Sequence, residues 1–159
     1  TGITYKEGIE KGLKDFCLYG GLGGRLDHTI ANIQSLEYLN IHDSHGWLIS
    51  DDTVITVIDK EALHFKPGYT GIISVFSLGD SCSGLTLCGL KYELNNAEVS
   101  CSFPVGVSNE FTGVESNISV ENGKLIVIWE NNSKNLSLGL FPEEKNLTNK
   151  RKAGKTHIK

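Results

Sequence analysis

A run of glycines within residues 20–24, followed by Arg25 and Asp27, limits the folds that this sequence can adopt. The residues just before it, 15–19, predict a short buried strand. Apolar residues then recur at roughly helical spacing, at Ile30, Ile33, Leu36 and Leu39. This spacing predicts a helix over residues 27–40. The glycines therefore connect the C-terminal end of a strand to a helix N-terminus, where open α/β sheets bind ligands.

Two interpretations of this turn remain open from the residues alone. Gly23 and Gly24 let the backbone approach a ligand closely, and Arg25 adds a planar fork suited to phosphate oxygens. Alternatively, the glycines form a tight turn, Asp27 caps the helix and Arg25 is solvated. The pattern matches neither Gly-x-Gly-x-x-Gly nor the phosphate-binding loop that ends in Gly-Lys-Ser/Thr.

Composition narrows the class of protein. With 159 residues, 39% hydrophobic and 21% charged, the chain is typical of a soluble globular protein of one or two small domains. Its net charge of −4 gives no general case for nucleic acid, and no apolar run is long enough to span a membrane. The four cysteines lie neither in Cys-x-x-Cys pairs nor at zinc-binding spacing: Cys17, Cys82, Cys88 and Cys101. We expect them to be reduced, buried thiols of a cytoplasmic protein.

The texture of the sequence changes after residue 44. Residues 1–44 predict the end of an α/β domain, although one strand and two helices do not make a doubly wound sheet alone. Residues 45–130 contain short β-rich runs separated by turns, which favours a mostly antiparallel β-sandwich or barrel. Asn95-Asn96 and Asn122-Gly123 are predicted hairpin turns. Residues 131–159 predict a polar, basic tail that is solvated and can be disordered.

Two blocks of the sequence resemble one known family. The segment Gly-Gly-Arg-Leu-Asp-His-Thr-Ile-Ala-Asn-Ile, at residues 23–33, is similar to the Gly-Gly-Arg-x-Asp-His segment of thiamine pyrophosphokinases. Far downstream, Gly-Leu-Lys-Tyr-Glu-Leu at residues 89–94 and Val-Ser-Asn-Glu-Phe at residues 107–111 resemble two further blocks of that family. The blocks follow in the same order at similar separation, and the likeness covers about residues 1–129.

The resemblance implies an enzyme that transfers diphosphate from ATP to thiamine and gives thiamine diphosphate and AMP. It also implies Mg²⁺ as cofactor and a homodimer in which thiamine binds where one subunit's sandwich meets the other's α/β domain. Such a transfer depends mainly on charge neutralisation and positioning. We expect thiamine and ATP as ligands, and neither nucleic acid nor a membrane as partner.

The resemblance also implies roles for individual residues. The expected catalytic residues are Arg25 and Asp27, with Asp27 also the candidate metal ligand; Gly23, Gly24 and Arg25 would bind phosphate. The candidates for thiamine are Tyr92, as an aromatic face for a flat cation, and Ser108 and Asn109, as hydrogen-bonding groups. On the residues alone, Tyr92 is equally a half-buried sheet aromatic, and Ser108-Asn109 an ordinary turn.

The sequence departs from the family at its start. The acidic Asp-Phe-Asp-Ser-like motif and the Thr-Asp pair of the family do not occur in this sequence, which begins at Thr1 and contains no methionine. We therefore expect a fragment, a processed chain or part of a longer record, which leaves the activity of this polypeptide alone in question. The alternatives are a non-catalytic thiamine-binding sandwich and a structural interaction domain.

Overall fold

The computed structural model describes residues 2–139 and 141–146, and these form three helices and eleven strands. The helices are α1 (Gly2–Glu10), α2 (Leu26–Ile41) and α3 (Ser133–Leu138). The strands are β1 (Asp15–Tyr19), β2 (His45–Ile49), β3 (Thr53–Asp59), β4 (Glu61–Phe65), β5 (Ile72–Ser77), β6 (Ser81–Cys88), β7 (Leu94–Ser100), β8 (Asn109–Glu110), β9 (Ser116–Ser119), β10 (Lys124–Glu130) and β11 (Glu143–Asn146). None of the helices described is both long and apolar enough to cross a membrane.

The strands form two largely antiparallel sheets, as the sequence predicted. Sheet A has the order β1-β2-β3-β10-β5-β8, and sheet B has the order β11-β4-β9-β6-β7. The parallel pair is β1 with β2, and α2 connects these two strands. A helix connection is needed there because two parallel neighbours cannot be joined by a tight turn.

Alternate residues of the central strands of sheet A face two different layers. On β10, Leu125, Val127 and Trp129 point into the core shared with sheet B. Ile126 and Ile128, between them, pack towards α2 on the opposite face. This alternation follows from the two-residue period of a strand, and it explains why the strand is apolar along most of its length.

Helix α2 packs on the outer face of sheet A. Leu36 and Leu39 are fully buried, and the position where a Cβ of Gly46 would stand lies 2.6 Å from a side-chain carbon of each. A side chain at Gly46 would therefore force the side chains of these two leucines to move. At the same face, Lys124 Nζ donates to Glu37 Oε1 over 2.8 Å, which ties the helix to the start of β10.

Strand β1 is an exposed edge strand, which corrects the expectation of a buried strand. Its residues alternate between exposed and intermediate, and none is buried. An apolar sequence pattern does not reveal whether anything covers the strand, and in the described residues only β2 pairs with it.

The cysteine prediction is likewise correct only in part. All four thiols are free, but Cys82 alone is buried, whereas Cys17, Cys88 and Cys101 are exposed.

The segment after β10 is more ordered than the predicted polar tail. The buried side chain of Asn135, in α3, accepts from the Thr70 backbone N–H and donates to the Thr70 and Glu130 carbonyls. Strand β11 then pairs with β4, and Phe141 packs on Trp47 with ring centroids 4.7 Å apart. These contacts fix the first half of the segment, and the basic residues 150–159 lie outside the described part of the chain.

The two predicted hairpin turns have other roles. Asn95 and Asn96 lie within β7, where these two residues oppose the single residue Thr86 of β6 and Asn96 adopts a left-handed φ of 51°. They therefore form a β-bulge, which asparagine tolerates better than most residues. Asn122-Gly123 connects β9 of sheet B to β10 of sheet A, so it is a crossover between sheets.

The packing of α2 gives a direct stability test. Leu36 is 1% exposed, and Leu36→Ala should lower the free energy of unfolding by about 2–5 kcal/mol because it leaves a cavity between helix and sheet. Ile30 lies on the same helix and is 51% exposed, so Ile30→Ala should change it by less than about 0.5 kcal/mol. Urea unfolding of both variants measures the difference, and equal losses would place α2 away from sheet A.

Candidate functional site

The glycine turn after β1 is open on its outer side. Gly20, Gly23 and Gly24 have positive φ values of 71°, 91° and 80°, which other residues rarely adopt. No atom lies within 4 Å of the position where a Cβ of any of them would stand. The glycines are therefore required by the backbone conformation, and the space beside them is accessible to a ligand.

Arg25 occupies the N-cap position of α2, and this corrects the expectation that Asp27 caps the helix. The Arg25 side chain makes no capping hydrogen bond. Instead, its Nε and Nη2 donate to the two carboxylate oxygens of Asp27. The His28 backbone N–H also donates to Asp27 Oδ1 over 3.0 Å. The pair is exposed, and the carboxylate fixes the orientation of the guanidinium through these two hydrogen bonds.

The pair also sets the charge of Asp27. The hydrogen bond from Arg25 holds the pKa of the Asp27 carboxyl below its usual value, and the backbone N–H of His28 acts in the same direction. At neutral pH this carboxylate is therefore ionised.

The described residues do not form a site for the magnesium ion that the resemblance implies. No three histidine, cysteine, aspartate or glutamate side chains among residues 2–139 and 141–146 are grouped to hold a metal. Both oxygens of Asp27 are already engaged by Arg25. A single carboxylate in an ion pair does not fit the octahedral oxygen environment that Mg²⁺ requires.

Asn109 is a buried clamp on the backbone of Tyr92. Its side chain, 4% exposed, accepts from the Tyr92 backbone N–H over 2.9 Å and donates to the Tyr92 carbonyl over 2.7 Å. The same Oδ1 accepts from the Glu110 N–H. The amide thus copies the pairing of a β-strand and fastens the β6–β7 connection to β8.

The Tyr92 side chain itself projects outward and is 60% exposed. An exposed aromatic ring held on a rigid backbone is suited to stack on a flat ligand.

Ser108 is exposed and directly precedes β8. Its φ of 57° is left-handed, and its backbone N–H donates to Ser74 Oγ over 3.0 Å. This contact fixes the turn to β5 and leaves the Ser108 hydroxyl without a partner among the described residues. Ser108 and Tyr92 thus present a polar group and a ring from one part of the fold, where Ser74 holds the Ser108 backbone and Asn109 holds the Tyr92 backbone.

Two charged residues of this surface were not among the predicted site residues. Lys91 Nζ lies 2.8 Å from Glu110 Oε1, and it also lies 5.5 Å from the centre of the Tyr92 ring. Both residues lie inside the family-like blocks, beside Tyr92 and Asn109. The signal was therefore present in the sequence, but their contact joins positions 19 residues apart and only the fold reveals it.

The two groups of predicted residues lie at opposite edges of sheet A. The glycine turn follows β1 at one edge, whereas Tyr92, Ser108 and Asn109 lie at β8 on the other. Six strands about 4.8 Å apart separate these edges by about 24 Å. Within one chain, the structure brings Arg25 and Asp27 together and Tyr92, Ser108 and Asn109 together, but it does not bring the two groups together.

The sequence is similar to proteins of one family. The family model described as "Thiamin pyrophosphokinase, vitamin B1 binding domain" matches residues 55–127. A thiamine pyrophosphokinase of Bacillus subtilis is 31% identical over 121 residues, which are 70% of this chain and 52% of that protein. A thiamine pyrophosphokinase 2 of rice is 34% identical over 94 residues, which are 57% of this chain and 34% of that protein. The chain thus spans about half the length of these relatives or less.

Solved structures agree with these matches. The crystal structure of a thiamine pyrophosphokinase from Bacillus subtilis superposes with a TM-score of 0.76 at 26% identity, covering 82% of this chain and 62% of that one. One from Geobacillus thermodenitrificans gives a TM-score of 0.69 at 26% identity, covering 82% and 60%.

The clamp on Tyr92 can be tested by one substitution. Asn109→Asp replaces the amide donor with a carboxylate that faces the Tyr92 carbonyl, and should lower the free energy of unfolding by about 1–3 kcal/mol. Asn95 is exposed in β7 and makes no side-chain hydrogen bond in the described structure, so Asn95→Asp is the matched control and should be near neutral. Urea unfolding compares the two. Similar values would mean that the Asn109 amide does not hold the loop.

Proposed function

Because this chain belongs to the thiamine pyrophosphokinase family, we propose that it takes part in the transfer of diphosphate from ATP to the hydroxyl of thiamine. The products are thiamine diphosphate and AMP. The observation that carries this proposal is the match of the vitamin B1 binding domain to residues 55–127, which form most of the sandwich. The family blocks on the glycine turn and around Tyr92 add support from two separate parts of the chain.

The domain assignment follows from the same relationship. We assign residues 1–44 to the end of an α/β domain and residues 45–130 to the thiamine-binding sandwich. The parallel β1–α2–β2 unit supports the first assignment, because parallel strands joined by a helix are the building unit of α/β sheets. Sheet A continues across the boundary through β2, so the two parts share one sheet.

The glycine turn is the proposed phosphate site. Gly23 and Gly24 leave open space beside the backbone, and Arg25 carries a guanidinium that neutralises charge on a transferring group. We propose that Asp27 acts through Arg25, since its carboxylate already receives two guanidinium hydrogen bonds. ATP as co-substrate and Mg²⁺ as its counterion are part of the proposal, but Asp27 is not assigned to the metal.

Tyr92, Ser108 and Asn109 form the proposed thiamine surface. Thiamine is a flat cation, so an exposed tyrosine ring offers it a face, and the free Ser108 hydroxyl offers a hydrogen bond at the edge. The Asn109 amide contributes by holding the Tyr92 backbone at both its N–H and its carbonyl.

A homodimer explains how both surfaces serve one reaction. About 24 Å separates them within a chain, so a vitamin-sized substrate that contacts Tyr92 does not reach the Arg25 of the same chain. A symmetric pair of chains would place the Tyr92 edge of one against the Arg25 edge of the other twice over. The free thiols further support a reducing compartment such as the cytoplasm.

A non-catalytic thiamine-binding module is the second candidate. The matching family model, over residues 55–127, is described as a vitamin B1 binding domain, and this match by itself favours binding. A module of this kind would bind thiamine through Tyr92, and substitution of Arg25 would not change its affinity for thiamine.

Two single substitutions separate these functions in the protein as its gene encodes it. Arg25→Ala should lower kcat by about a hundredfold or more while leaving the unfolding free energy nearly unchanged, because Arg25 is exposed. Tyr92→Ala should raise the KM for thiamine more than the KM for ATP. Formation of AMP and thiamine diphosphate is the readout.

Two further outcomes complete that test. Thiamine binding without any turnover in the unsubstituted protein would support the binding module. Equal weakening of both substrates by Tyr92→Ala would make Tyr92 a packing residue.

A further inference from the structure

A cation of the protein itself, the ammonium of Lys91, lies over the ring of Tyr92. Lys91 Nζ lies 5.5 Å from the ring centre, within the range of a cation–π contact. The same ammonium donates to Glu110 Oε1 over 2.8 Å. The exposed ring, the ammonium and the carboxylate thus form one cluster on the proposed thiamine surface.

The cluster is held in place by the backbone beneath it. The Lys91 N–H donates to the Glu110 carbonyl over 3.0 Å, and Leu90 bridges to Phe111. With the Asn109 clamp on Tyr92, these contacts fix the backbone from which the side chains of Lys91, Tyr92 and Glu110 project. Glu110 raises the pKa of Lys91 above its usual value, so the ammonium is charged at neutral pH.

We propose that Lys91 is a resident cation which the cationic ring of thiamine must replace on Tyr92, and that Lys91 thereby determines how strongly this surface discriminates between cationic and neutral ligands. The proposal rests on the proposed function, because it takes thiamine as the ligand of Tyr92.

The charge on each group determines how the ring, the ammonium and the ligand compete. The negative face of an aromatic ring attracts a ligand cation less when another cation already lies against the ring. Glu110 keeps Lys91 nearby when it leaves the ring, so exchange leaves no carboxylate unpaired. Removing the ammonium should therefore favour a cationic ligand twice, by freeing the ring and by exposing the Glu110 charge. A neutral ligand should gain nothing from either effect.

The test measures two ligands against two variants of the full chain by isothermal titration. The ligands are thiamine and its uncharged aminopyrimidine half, used above the pKa of the pyrimidine ring. Lys91→Met removes the charge and keeps much of the side-chain length, and Lys91→Arg keeps the charge. We expect Lys91→Met to bind thiamine about two- to fivefold more tightly and the aminopyrimidine unchanged, and Lys91→Arg to match the unsubstituted chain.

Three results would overturn the inference. If Lys91→Met weakens both ligands alike, Lys91 only supports the loop. If it changes neither, the ammonium does not compete for the ring. If the unsubstituted chain binds no thiamine at all, the proposed function itself fails and the inference falls with it, whereas the first two results leave thiamine binding intact.

Discussion

Sheet A is buried on both faces, and the positions of both proposed surfaces follow from this double burial. Its inner face forms one core with sheet B, in which Trp129 lies edge-on to Trp47 and Phe65. Its outer face is covered by α2 through Leu36. Both layers use the same strands, because a strand directs alternate side chains to opposite faces. The glycine turn and the proposed thiamine surface are therefore attached to one sheet and keep fixed positions relative to each other.

That rigid attachment has a consequence for function. The sheet sets the two proposed surfaces at its opposite edges, and packing on both faces prevents it from curling freely to bring them together. Each edge has a different chemical character. The β1 edge leads to glycines and an arginine, whereas the β8 edge carries an exposed tyrosine and a lysine–glutamate pair. In the proposed homodimer, a substrate with a phosphate-accepting end and a cationic ring would contact the β1 edge of one chain with the first and the β8 edge of the other chain with the second.

Much of the fold was predictable from periodicity. The spacing of apolar residues such as Ile33 and Leu36 predicted both ends of α2 to within about one residue. One face of this helix packs on a sheet, and apolar residues must therefore recur at helical spacing. The prediction that β1 is buried was wrong because an apolar composition shows that a strand tends to be buried but does not show which element packs on it. The prediction of a hairpin turn at Asn95-Asn96 was wrong because asparagine's tolerance of left-handed φ values suits a β-bulge as well as a hairpin turn.

The site was less predictable, because its contacts join distant positions. The sequence predicted that Asn109 forms hydrogen bonds to thiamine. In the fold, its side-chain amide instead forms hydrogen bonds to the backbone of Tyr92, 17 residues away. Asp27 was expected as a cap or a metal ligand, but the N-cap position is held by Arg25, two residues earlier, and both oxygens of the Asp27 carboxylate accept from the Arg25 guanidinium. Residue types alone do not reveal such partners.

The most direct test of this account is a mixed dimer. Chains carrying Arg25→Ala and chains carrying Tyr92→Ala would be co-expressed in equal amounts with the same tag, so that dimers form at random, and assayed well below saturating thiamine. If each site combines the Arg25 edge of one chain with the Tyr92 edge of its partner, half of the dimers regain one intact site, and about a quarter of the original activity returns. Activity no higher than the mean of the two single variants would contradict the account, because each chain would then hold a complete site of its own.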